Sequence, residues 1–137
     1  MGDDGYQDVC NIKQFVTKAN NNLSFLNINI RSLNKNLDKL ELLLDELKFD
    51  PDIIGVTETW INETRPLLFS LDNYNFVNEP SPGRVGGVGF FIKRGIEFNI
   101  LSKYQLHLEN CEDIWLELFL KNKKKTNSWI RIPAPIL

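Results

Sequence analysis

The sequence predicts a mixed α/β fold: one strand–helix–strand unit followed by a mainly antiparallel meander. Three observations carry that expectation. They are an alternating run, "LSFLNINI" (23–30), a leucine stripe at helical spacing, and a compact apolar run inside "DIIGVTETW" (52–60). The first run alternates apolar and polar residues with β-branched content, which is the period-two signature of a strand. In "RSLNKNLDKLELLLDELKFD", Leu37, Leu40, Leu44 and Leu47 fall on one helical face and Asp38, Lys39, Glu41, Asp45 and Glu46 on the other. Asn34 or Asn36 is expected to cap this helix. Asp50-Pro51 is expected to end it, because the residue before proline avoids helical angles. Ile53, Ile54, Gly55 and Val56 then read as a buried strand, with Thr57, Glu58, Thr59 and Trp60 at its mouth.

That order has a consequence. The crossover is long enough for parallel pairing and is expected to be right-handed. Parallel strands bring their carboxyl ends, near Asn29 and near Glu58, to the same edge, where open α/β sheets bind ligands. A carboxylate buried without a partner would sooner take a proton than stay charged. Glu58 therefore either lies at the surface or meets something positive.

The second half changes character. A short helix or turn is expected around Pro66 to Ser70, then an extended piece from Tyr74 to Val77, then a loop in "NEPSPGR". "GGVGFFIK" (86–93), "IEFNILSKY" (96–104) and "DIWLELFL" (113–120) read as strands, the first two joined through Arg94-Gly95. "KNKKKTN" is a polar turn, and "SWIRI" is one further candidate strand.

Composition narrows the class. With 137 residues, 42% hydrophobic and 25% charged, the chain fits one folded domain. A net charge of −2 gives no global attraction to nucleic acid or to an acidic membrane, so any hold on phosphate must come from local patches. Cys10 and Cys111 are far apart with no metal-ligand spacing, and free thiols are expected over one long-range disulfide. The acidic "MGDDGYQDVC" is the opposite of a secretory signal, and Tyr6 stands where a myristoylation signal needs Ser or Thr. The expected setting is intracellular, nuclear or cytoplasmic, without membrane association.

Three blocks in series resemble the first half of an endonuclease/exonuclease/phosphatase-superfamily domain, in particular the apurinic-like endonuclease domain of non-LTR (LINE-type) retrotransposons. "LNINIRSLN" resembles the opening strand and places the family asparagine at Asn29. "DIIGVTETW" resembles the second strand and places the metal-binding glutamate at Glu58. "GRVGGVGFFIK" resembles the glycine-rich strand that follows. The resemblance implies the N-terminal half of a four-layer αββα sandwich. It implies a flexible segment at 1–22, a partial domain at 23–120 and a divergent tail at 121–137.

It further implies a Mg²⁺ (or Mn²⁺) cofactor held by Glu58, a catalytic role for Asn29 and a DNA substrate. Arg31 stands where some relatives carry an acid; contact with a substrate phosphate and a solvated surface charge both remain open. The family's Asp-x-Asn and Ser-Asp-His are not found, and "SWIRIPAPIL" departs from its Tyr-Arg-Pro-Pro. The expectation is a truncated endonuclease, inactive alone. The alternative is a non-catalytic remnant, inert or an interaction module, self-associating through an uncovered sheet.

The remaining residues read more plainly. His107 lacks the family context and is expected at a strand surface. Gly86, Gly87 and Gly89 precede a strand, whereas a phosphate-cradling loop follows one and opens a helix, so close backbone packing is expected. Lys121 and Lys123 to Lys125 are expected to solubilise a turn, and Trp60 and Trp115 to pack. The metal reading fails if Glu58 points away from the rim of Asn29 and is tied to an ordinary basic neighbour.

Overall fold

Apolar residues that alternate along a strand need a partner on each face, and here both faces of the first sheet are covered. The computed structural model describes residues 23–80, 86–101, 113–120 and 128–134. Its elements are β1 (Phe25–Asn29), α1 (Leu33–Leu47), β2 (Ile53–Thr57), β3 (Tyr74–Glu79), β4 (Val88–Lys93), β5 (Glu97–Ile100), β6 (Ile114–Leu120) and β7 (Ser128–Ala134). One sheet has the order β1-β2-β4-β3, the other β5-β6-β7. β1 and β2 are parallel, with Asn29 opposite Thr57, and the remaining pairs are antiparallel. The chain is thus a partial α/β sandwich in which helix, sheet and sheet stack in three layers.

Two cores follow from the alternation. Leu26, Ile54, Val56 and Phe91 turn to α1 and meet Leu33, Leu37 and Leu40. Ile53, Val88, Phe90 and Ile92 turn the other way and meet Ile114, Leu116, Leu118 and Ile132 of the second sheet. At Gly89 the partner strand comes close: an added Cβ would sit 2.9 Å from the Val77 carbonyl oxygen and 2.8 Å from the Phe76 ring. That is the close packing expected of this glycine.

The helix differs from expectation at both ends. Its N-cap is Ser32, which makes no side-chain capping bond, and Asn34 and Asn36 lie inside the first turns. Both asparagines instead bind other segments. Asn36 Nδ2 donates to the carbonyls of Ile30 (2.9 Å) and Arg31 (2.7 Å). Asn34 takes the Leu68 amide at 2.8 Å and donates to the Pro66 carbonyl at 3.0 Å. The helix stops at Lys48 in a left-handed cap, before Asp50-Pro51 is reached, with the Phe49 amide closing onto the Leu44 carbonyl at 3.1 Å. No helix forms around Pro66 to Ser70, where the chain only bends. β3 runs on to Glu79, into the segment expected to be loop. The readings on residues 1–22, Cys111, His107 and Lys121 to Lys125 lie outside the described residues.

The amino-terminal edge of β2 is tied down by polar contacts. The Asp52 carboxylate takes the Ser24 amide (2.9 Å) and hydroxyl (3.2 Å), and Lys93 Nζ bridges Asp50 (2.9 Å) and Asp52 (3.6 Å). Tyr74, buried, donates its hydroxyl to the Pro51 carbonyl at 2.6 Å and lies 3.3 Å from Asp50. Burial, and then the negative charge of Asp50, push this phenol above its usual range. Its neutral form therefore favours the fold, an advantage that is whole below about pH 10 and is lost as pH rises beyond it. Tyr74→Phe is expected to cost about 1–2 kcal/mol at neutral pH. It should also flatten the alkaline fall in stability, read by urea titrations between about pH 8 and 11. An equally steep fall in the variant would refute the assignment.

Candidate functional site at the carboxyl edge of the parallel pair

The first sheet does not end cleanly at its carboxyl edge. Backbone bonds continue past β1 and β2: the Ile30 amide reaches the Thr57 carbonyl (3.0 Å), Ser32 that of Glu58 (2.9 Å) and Leu33 that of Thr59 (2.9 Å). On the other side the Thr59 amide reaches the Gly87 carbonyl (3.3 Å) and Trp60 that of Gly86 (2.9 Å). Three segments are therefore stitched into one rim.

Holding them there requires unusual backbone. Among the described residues, non-glycine left-handed angles occur at Arg31 (φ 45°), Ser32 (77°), Glu58 (53°) and Trp60 (55°), besides Lys48 and Asn73. Lys48 is the helix cap and Asn73 sits in a turn, so the other four are all on this rim. Such angles cost about 1–2 kcal/mol each outside glycine. Strain of this kind gathers at functional sites, where the surrounding structure over-determines it. The buried Thr59 and the Asn36 clamp on Ile30 and Arg31 supply that over-determination.

Of the residues singled out from the sequence, Arg31 and Glu58 come together, and Asn29 stands at the end of the neighbouring strand. Asn29, exposed, ends β1 opposite Thr57, one residue before Glu58. Glu58 Oε2 lies 3.6 Å from Arg31 Nε, and the two side chains are 42% and 79% exposed. Glu58 thus faces the segment that follows Asn29, and it has a basic neighbour. That neighbour belongs to the same rim, and the contact is too long for a hydrogen bond. A water-exposed pair of this kind is worth about 0–1 kcal/mol. It does not tie the carboxylate up.

Two features of the rim were not read from the sequence. Glu79 is in register with Val88, and Val88 with Thr57, so a second carboxylate closes the row two strands away, about 10 Å by strand spacing. The indole N–H of Trp60 is buried and has no hydrogen-bond partner among the described residues. No group of three or more His, Cys, Asp or Glu that could hold a metal ion is found among the described residues. The donor set beside Asn29 is one carboxylate and one amide. Both offer oxygen donors, the kind that hard divalent cations take.

A helix-backed sheet facing a second sheet makes this a layered α/β domain. The chain belongs to the endonuclease/exonuclease/phosphatase family, whose sequence profile matches residues 25–131. It is also similar in structure to an AP endonuclease, LMAP, from Leishmania major. The TM-score is 0.54 and the identity 17%, over 93% of this chain. At that identity the likeness is one of fold. The chain spans 46% of the length of that structure's chain. No curated protein matches the sequence significantly. No helix among the described residues is long and apolar enough to cross a membrane.

Proposed function

We propose that this domain is part of a divalent-metal-dependent DNA endonuclease of retrotransposon descent, carrying the metal-side residues of its active site. The observation that carries the reading is the parallel register, which sets Asn29 beside Thr57 and so brings Asn29, Arg31 and Glu58 onto one edge. Glu58 would hold Mg²⁺ or Mn²⁺ through its carboxylate. When bound, such an ion polarises the scissile phosphate and stabilises the leaving oxygen. The Asn29 amide, with a donor and an acceptor end, orients the phosphate. Arg31 gives its planar fork of N–H groups to phosphate oxygens. The retrotransposon descent rests on "LNINIRSLN" and "DIIGVTETW".

Phosphodiester hydrolysis also needs a positioned nucleophile, and these 137 residues contain neither the Asp-x-Asn nor the Ser-Asp-His of the family. The chain by itself is therefore expected to nick supercoiled plasmid at the background rate in Mg²⁺. Clear nicking that disappears in Glu58→Ala would overturn the inactivity while keeping the site. A second reading, an interaction module, is favoured by the outer face of β5-β6-β7. There Trp115 and Phe119 are only half-buried, while Ile114, Leu116 and Leu118 are buried on the inner face. Elution as a compact, monodisperse monomer would count against self-association through that face.

A further inference from the structure

The contact between Arg31 and Glu58 sets the site a problem that the proposed function does not address. A dication approaching Glu58 meets a guanidinium already there, 3.6 Å from the carboxylate oxygen. Arginine cannot shed its proton to make way. With both cations present the rim is strongly positive, and the ion is held less well than by the carboxylate alone. The ion is therefore held better when the Arg31 head group moves off.

The backbone cannot move it. The Arg31 carbonyl is clamped by Asn36 at 2.7 Å, and the next amide, Ser32, is bonded to the Glu58 carbonyl at 2.9 Å. The side chain, however, is 79% exposed and keeps to Glu58 by charge without a hydrogen bond. A phosphodiester offers it a better partner, since guanidinium binds phosphate oxygens in a bidentate, charge-assisted fork. Lys93 binds Asp50 and Asp52 at the opposite edge of the sheet.

We propose that Arg31 is a resident counter-ion of Glu58 that a substrate phosphate draws off, so that phosphate and divalent cation bind this rim cooperatively. The inference rests on the reading of Glu58 as the metal-holding residue. By linkage the coupling is reciprocal: the phosphate raises affinity for the ion by the same factor that the ion raises affinity for the phosphate.

The test is a Mn²⁺ titration of the full chain, followed by water-proton relaxation, with and without a short DNA duplex. It compares the wild type with Arg31→Gln, and Glu58→Gln provides the baseline. Amide spectra confirm that each variant keeps the fold. Without DNA, Arg31→Gln is expected to bind Mn²⁺ about two- to fivefold more tightly than the wild type, the range an exposed ion pair can command. DNA should tighten Mn²⁺ binding in the wild type, and that gain should shrink in Arg31→Gln. If Arg31→Gln and the wild type bind alike and respond to DNA alike, the counter-ion role is overturned and the metal site stands. If neither exceeds the Glu58→Gln baseline, the metal site itself is wrong and the counter-ion role goes with it.

Discussion

Phe90→Ala is expected to lose about 3–5 kcal/mol, the loss found when a buried phenylalanine leaves a cavity that its surroundings cannot close. Phe90 is fully buried on β4, in register with Gly55 of β2 and Val77 of β3, and it packs in the core shared with Leu116 and Leu118 of β6. Gly55 has no side chain to fill the space, and the second sheet is anchored by its own hydrogen bonds. Since single domains hold only about 5–15 kcal/mol in total, the variant should be largely or wholly destabilised at room temperature. A urea titration reads this as a lower midpoint at unchanged slope. Leu42→Ala, on the exposed face of α1, is the control and should stay within about 0.5 kcal/mol of the wild type. Equal effects at the two positions would mean that the two sheets do not share a core.

Local periodicity carried the first half of the fold well. Alternation located β1, the leucine stripe located α1, and the run from Ile53 located β2. Their parallel pairing followed from the length of the crossover. Where expectation and structure part, the cause is mostly non-local. Asn36 looks like a helix cap by its position, yet its side chain is recruited by two carbonyls of the preceding loop. One difference is local: Leu33 is fully buried because it stands one turn before Leu37 on the same face, in a helix that starts earlier than a cap at Asn34 or Asn36 would put it. Nothing in "IEFNILSKY" or "DIWLELFL" announces that these strands leave the first sheet and form a second one. That choice depends on which apolar face, Ile53-Phe90-Ile92, remains to be covered.

The rim was legible in its residues and not in its backbone. Asn29 and Glu58 could be placed on one edge by counting along two parallel strands. The left-handed angles at Arg31 and Glu58 leave no mark in composition, because neither residue type favours them. Those angles bring the Arg31 side chain within reach of Glu58. The loose pair they create is the detail on which metal and phosphate chemistry at this edge would turn.

Glu58 offers the sharpest separation of function from stability. At φ 53° it occupies backbone space that glycine enters freely and other residues do not. Glu58→Ala keeps that strain and loses the carboxylate, whereas Glu58→Gly loses both. The glycine variant is expected to be more stable than the alanine variant by about 1 kcal/mol, the strain relieved less the extra chain entropy of glycine. Against the wild type, Glu58→Gly should be equal or slightly more stable, since the Arg31 pair it removes contributes little. Both variants should drop Mn²⁺ binding to the level of non-specific surface carboxylates. Should Glu58→Gly instead unfold the domain, or hold Mn²⁺ as the wild type does, the carboxylate would be a structural strut and the metal would have to be sought elsewhere.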